Sequence, residues 1–418
     1  MSEVTGLAAP TTKLAPRFWR LWWASSISAL GDGVTVAALP LLAASLSSDP
    51  RLVSGIATAG TLPWLVFSLH AGALVDRFDR RKVMFAMDIV RGAVTVLIAV
   101  SVFQHWVRMP LLYLTSLTIG FADVLFGNAA QAIIPSLVET DQLERANGFQ
   151  QASETAGRQF LGPPVGSLLF AAAMGLPFVV DGATFLASAV LLMTIRGRFR
   201  PVAAPRPDGR TKMRHEIAEG LKWLFAHRLL RTLALCLGVM NLAANGAFAV
   251  FVLLAKQRLH VSDRGFGILL AAAAIGSVAG GLLGSRLARW LGQGRTLAAT
   301  VVFEAIALVG MAYITNPVPA AVFMVLEGLW GVSWNVVTVA LRQQIVPQRL
   351  FGRVNSAYRL FGLGMMPIGT IAGGLLANAF GIRAPFIVFG IVTAVLVVPI
   401  GLVATDGAIA DARETART

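Results

Sequence analysis

Twelve apolar stretches of membrane-spanning length divide this chain, and no other feature narrows its possible folds so far. They run over 17–44, 51–75, 83–103, 109–134, 148–173, 175–195, 229–254, 263–290, 294–314, 317–345, 350–379 and 382–404. A run of about 20 apolar residues matches the hydrocarbon thickness of a bilayer. Backbone polar groups in lipid must be satisfied within each segment, so the stretches are expected as helices rather than strands. Apolar residues make up 56% of the chain and charged ones only 13%, whereas a soluble domain carries about 25% charged residues. The chain is therefore expected to be an all-α polytopic membrane protein with 12 transmembrane helices.

The positive charge is distributed unevenly. If the amino terminus, the even-numbered connections and the carboxyl terminus share one side, that side holds 26 of the 35 Lys and Arg residues. The other side holds six, and Arg91, Arg158 and Arg359 fall inside apolar segments. Lys and Arg accumulate on the cytoplasmic side, so both termini are expected in the cytoplasm and the chain in the cell (inner) membrane. The net charge of +14 then reflects orientation and contact with anionic lipid headgroups. No basic domain exists to bind nucleic acid. The one cysteine, Cys236, excludes an intrachain disulfide. No His or Cys cluster suggests a metal, and no phosphate-binding Gly-Lys-Ser/Thr loop suggests ATP, so no cofactor is expected.

The longest polar stretch suggests five parts: a cytoplasmic tail at 1–16, a six-helix bundle at 17–195, a cytoplasmic linker at 196–228, a second bundle at 229–404 and a tail at 405–418. The bundles look related. A shift of 212 brings Gly72 onto Gly284, Arg77 onto Arg289, Gln131 onto Gln343 and Pro135 onto Pro347. Internal repeats of this kind occur in secondary transporters, with the substrate site between the repeats near the bilayer midplane.

Between the second and third segments lies Gly72-Ala-Leu-Val-Asp-Arg-Phe-Asp-Arg-Arg-Lys82, echoed more weakly at Gly284–Arg295. The fifth segment carries Gly148, Gly157, Gly162, Pro163 and Gly166, residues that bend a helix and allow close packing. The charged loop resembles the one that characterises the major facilitator superfamily. Together with Gly31-Asp32-Gly33 and Val180-Asp-Gly-Ala-Thr-Phe185, it is most similar to the drug:proton antiporter-3 branch, which includes macrolide and enterobactin-type siderophore exporters. The resemblance implies a major facilitator fold of two pseudo-symmetric six-helix halves and a monomer. It implies a conformational latch at Gly72, Asp76, Arg77 and Arg81, although Asp79 stands where the family usually has Gly. It also implies an antiporter-like motif at Gly157, Gly162, Pro163 and Gly166, which in the family accompanies export. That motif has one extra residue before Gly162, and Ser167 replaces a final Gly.

Polar groups inside the membrane are costly and tend to serve function. In the fold that the resemblance implies, the first, fourth, seventh and tenth helices line a central cavity. Asp32, Asp123, Asn241, Asn245, Glu327 and Asn335 lie on these helices, with Trp330 and Trp334 flanking the last two. A carboxylate in surroundings of low polarity can carry a proton at neutral pH, so Asp32 and Asp123, then Glu327, are the candidates for proton coupling. A structural, hydrogen-bonded carboxylate is the competing reading for each. Asp88 and Arg91 are spaced i, i+3, and Glu154 and Arg158 are spaced i, i+4, so local ion pairs are expected in both. The family's fourth helix usually supplies an Arg for coupling, and the fourth segment here has none.

The expected function is secondary active efflux: protons are exchanged for amphipathic, drug-like or macrolide-like small molecules by alternating access. Two alternatives stay open. One is export of a siderophore or lipid conjugate; the other is a transporter-like sensor that binds ligand without moving it. No enzymatic triad is grouped in the sequence.

Overall fold

A computed structural model describes residues 14–75, 77–197, 199–200 and 209–417. Among them the regular structure is helical: α1 Pro16–Leu46, α2 Pro50–Val75, α3 Arg80–Phe103, α4 Met109–Ile133, α5 Leu143–Thr155, α6 Gly162–Ala172, α7 Leu176–Met193, α8 Gly209–Ala226, α9 Arg228–Gln257, α10 Asp263–Leu291, α11 Gln293–Tyr313, α12 Pro317–Ile345, α13 Gln348–Phe380, α14 Ala384–Val395, α15 Val397–Val403 and α16 Asp406–Arg417. A π-helical turn, Ala156–Leu161, joins α5 to α6. Among the described residues, ten helices are long and apolar enough to cross a membrane. The second and fifth expected segments correspond to α2 and to the α5–π–α6 run, so the order is consistent with twelve spans. Large side chains on the outward faces, such as Leu282 and Val395, are exposed, as a lipid-facing surface requires.

Local chemistry sets several ends. Asn316 caps α12 through the Val318 N–H at 2.9 Å, with Pro317 in the first turn. Asp79 caps α3 by accepting from the backbone N–H groups of Arg81 and Lys82. Gly292 stops α10 at φ +92°, a conformation that costs other residues a Cβ clash.

The packing repeats every six spans. In the first half α2 lies against α4, α1 against α6 and α3 against α7; in the second, α10 lies against α12, α9 against α13 and α11 against α14. Across the halves α2 meets α13 and α6 meets α10, a pair of contacts that the same pseudo-symmetry interchanges. We call the end bearing Asp79 and α8 the inner end. Towards the outer end one apolar core, including Leu41, Phe178, Val250, Phe266 and Phe389, draws on both halves. At the inner end there are two: one around Phe18, Ile133 and Ile195, the other around Leu230, Leu341 and Tyr358. The halves are thus fused outside and separately cored inside. Among the described residues, hydrogen bonds that join them in the outer part include Thr58 to Thr370 at 2.8 Å, and Ser167 Oγ to the Asp263 carbonyl.

The tail expected at 405–418 contains α16, which is docked. Ile409 is buried, and Asp406 accepts from the Gly294 N–H at 2.8 Å.

Candidate functional site: two cavities meeting at Arg158

A stripe on α1, Ser25, Ser28, Asp32 and Thr35, recurs at helical spacing and is buried throughout. Each member faces a polar partner or a cavity wall. Arg91 of α3 is fully buried beside it. Its Nη1 donates to Asp32 Oδ2 at 3.0 Å, and its Nη2 donates to Ser28 Oγ at 3.0 Å and to Asp88. The Phe126 and Phe185 rings sandwich the guanidinium at 4.5 and 4.4 Å. Asp123 Oδ1 is 3.9 Å from Arg91 and receives Arg158 Nη1 at 2.8 Å, while Arg158 Nη2 reaches Asp123 Oδ2 at 2.7 Å. One charge-assisted hydrogen bond and a second close ion-pair contact hold the two groups together. Three carboxylates thus meet two guanidinium groups. Full ionisation leaves one buried negative charge in excess, which a proton or a cation can balance.

The cluster forms the floor of a cavity of about 390 Å³ between α1, α4 and α5. Glu154 lines it, as do the amides of Gln131, Asn147, Gln150 and Gln151. A larger cavity of about 710 Å³ lies mainly among α9 to α13. Its walls are mostly apolar, with Met240, Phe248, Met324, Trp330 and Met366, and they also carry Glu304, Glu327, Asn241 and Asn335. Arg158 lines both cavities.

The structure corrects several expectations. Asp32 and Asp123 face the smaller cavity, whereas Asn241, Glu327 and Asn335 face the larger, so the candidates do not line one central cavity. Asn245 is outside the walls of both cavities; its amide bonds the Asn241 carbonyl at 2.9 Å. The Glu154–Arg158 ion pair does not form among the described residues. Arg158 sits in the π-helical turn, where the i, i+4 rule of a regular helix no longer applies, and its fork is taken by Asp123. Asp88 and Arg91 do pair, but Arg91 also spans to α1. Trp330 stacks on Phe303 with centroids 4.9 Å apart, and Trp334 is buried.

The fifth-segment glycines are contact points for α1. A Cβ on Gly166 would lie 2.2 Å from the Val34 carbonyl oxygen, and one on Gly162 would lie 2.5 Å from Gly33 Cα. Pro163 follows at the start of α6. Of the residues expected to form a latch, Asp76 lies outside the described residues. Gly72 falls within α2, Arg77 is exposed, and Arg81 donates to the Ile195 carbonyl. Asp79, the departure from the family pattern, accepts from the Phe199 N–H at 3.1 Å and so ties the loop to the chain beyond α7.

Ser25, Ser28, Thr35 and Gln150 join the site without having been expected there. The first three were detectable as the period of the α1 stripe. Asp181, for which sequence offers no mechanism, is buried and accepts from the Thr35 hydroxyl, joining α7 to α1.

The family model for transmembrane secretion effectors matches residues 7–412. The chain belongs to that family. Its fold, its pairing of halves and this match agree: it is a multi-pass membrane transporter of the major facilitator superfamily, in the drug:proton antiporter-3 branch, and not an enzyme. It is 27% identical over 392 residues to the multidrug efflux pump Tap of Mycolicibacterium fortuitum, covering 90% of this chain and 92% of that one. It is 25% identical over 389 residues to macrolide efflux protein A of Streptococcus pyogenes, with 90% and 92% covered. In fold it is similar to a bacterial homologue of the iron transporter ferroportin in an inward-facing state, at TM-score 0.74 and 15% identity, covering 94% of this chain and 99% of that one.

Proposed function

We propose that this chain is a secondary efflux transporter that exchanges protons for amphipathic small molecules by alternating access. The observation that carries the reading is the division of the core: one shared core outside, two separate cores inside, and charged cavities between. A molecule with that shape can rock about its outer contacts. Its relatives bear the names of multidrug and macrolide efflux pumps, which favours export over uptake. The inner end carries most of the Lys and Arg residues and is cytoplasmic in this reading, with both termini there and the chain a monomer in the inner membrane.

Asp32, Asp88 and Asp123 share two guanidinium groups, so one proton taken up there changes the net charge of a buried cluster. Protonation of Asp123 weakens its hold on Arg158. That side chain also borders the larger cavity, so its release alters the charge met by a substrate. Substrate and proton therefore compete through Arg158. Glu327, Asn241, Trp330 and Trp334 belong to the substrate chamber, and Gly72, Asp76, Arg77 and Arg81 serve as the latch at the inner end.

The test is ethidium efflux from cells expressing the chain. Wild type should lower ethidium accumulation in a way that an uncoupler abolishes. Asp123→Asn should express at the membrane and lose that activity. Uncoupler-resistant efflux, or full activity of Asp123→Asn, contradicts the proposal.

A further inference from the structure

Two charges at membrane depth take no part in the ion-pair cluster. Glu154 lies on α5 and Arg359 on α13, and neither has a hydrogen bond or an ion pair among the described residues. Arg158 offers Glu154 no ion pair, because Asp123 holds it. A charge inside the membrane is costly unless it meets a partner or a polar cavity, and both residues face the cleft. Glu154 lines the smaller cavity and Arg359 the larger. The charge of Arg359 reaches Glu154 across the junction of the two.

The two stand at the same depth on equivalent helices. Glu154 is 11 residues beyond Leu143, where α5 starts, and Arg359 is 11 beyond Gln348, where α13 starts. Each is therefore about 16 Å from the inner end of its helix at 1.5 Å per residue. A shift of 208 relates these helices and brings Asn147 onto Asn355. Each charge ends a stripe of small or polar residues at helical spacing: Gly148 and Gln151 on α5, Gly352 and Ser356 on α13, all exposed. A Cβ on Gly148 or on Gly352 would meet nothing within 4 Å, so open space lies before both stripes. Behind them, Ala146 belongs to the inner core of the first half, and Val354 and Tyr358 to that of the second. The wall of the second half is also basic. Arg342 is buried against Asn355 and the Tyr358 ring with no carboxylate partner among the described residues, and it adds its charge to that of Arg359.

We propose that the inner parts of α5 and α13 close on each other when the molecule opens outward, and that Glu154 and Arg359 then form the ion pair that seals both cavities from the inner side. This deepens the efflux reading and rests on it for alternating access. Rocking about the fused outer contacts leaves the inner ends free to approach. Closure then removes two unpaired charges from the cleft. Gly148 and Gly352 permit the approach, since small residues let helices pack closely within a membrane.

The test traps closure by cross-linking the full chain in cell membranes. In a Cys236→Ala background, Gln151→Cys with Ser356→Cys places thiols on the two stripes, each three residues nearer the inner end than the charge beside it. A short bis-maleimide should join them. Glu154→Gln and Arg359→Gln should each slow the cross-link about tenfold, the equivalent of one charge-assisted hydrogen bond. Arg359→Lys, which keeps the charge, should stay near the parent rate, and the exchange Glu154→Arg with Arg359→Glu should restore it. Neither neutral variant should lower the thermal midpoint, because neither charge is paired in this state; a lowered midpoint would make the role structural and overturn the gate. No cross-link in the parent, neutral variants as fast as the parent, or charge-keeping variants as slow as the neutral ones also overturn it. Ethidium efflux is followed in the same cells. Cross-linking that depends on both charges, in cells that show no ethidium efflux, keeps the gate and discards the efflux reading.

Discussion

Arg91 is the group whose removal the structure makes most costly. It is fully buried, bonds Asp32, Ser28 and Asp88, and lies between the Phe126 and Phe185 rings. In Arg91→Met the apolar stem and much of the ring contact survive, so the loss is mainly electrostatic. Asp123 keeps Arg158, but Asp32 and Asp88 lose their only guanidinium among the described residues. Breaking a buried pair by deleting one partner costs about 3–5 kcal/mol. At about 2–4 °C per kcal/mol for domains of roughly 150–250 residues, the midpoint falls by roughly 10 °C. Thermal unfolding of the purified protein in detergent, followed by tryptophan fluorescence, measures it. Adding Asp88→Asn removes one of the two stranded charges and should return part of the loss. A midpoint unchanged in Arg91→Met, or lowered further by Asp88→Asn, would show that Arg91 does not hold these carboxylates in place.

Three further outcomes follow from packing. In a Cys236→Ala background, Thr58→Cys with Thr370→Cys should form a disulfide across the outer ends, since the two hydroxyls lie 2.8 Å apart. Oxidation should stop ethidium efflux and reduction restore it; efflux that continues when cross-linked argues against rocking. Gly166→Val should push α6 from α1, because its Cβ would meet the Val34 carbonyl, and should destabilise the protein by about 1–3 kcal/mol as overpacking does. A thermal midpoint equal to wild type would show that the contact yields freely. Asp79→Ala should cost about 0.5–2 kcal/mol through loss of the α3 cap, and Asp79→Asn, which keeps an acceptor, should recover much of it in the same assay.

The spans were legible because hydrophobic length is dictated by the bilayer. The tenth expected segment, 317–345, is α12 at Pro317–Ile345, where Asn316 and Pro317 punctuate the start. The breaks were not legible. The last span divides at Leu396 into α14 and α15, and the fifth contains the π turn that redirects Arg158. Composition is blind to a single inserted residue per turn, so a pairing read from i, i+4 spacing pointed Arg158 at Glu154. The expected cavity was likewise merged from two, because helix number alone does not say which face of α4 carries Asp123. The fourth segment has no arginine of its own, yet Arg91 of α3 and Arg158 of the π turn lie beside Asp123, a placement that only three dimensions reveal.

The proposed exchange of substrate and proton runs through the Asp32–Arg91 and Asp123–Arg158 cluster. Its most direct test is the purified chain in liposomes with an imposed pH gradient and a trapped pH dye, to which lipophilic cations and macrolides are added. Substrate-dependent proton movement should appear in wild type and vanish in Asp32→Asn and in Asp123→Asn, while both variants stay folded and still bind. Proton movement that persists in both variants, or none with any compound that wild type binds, would contradict it.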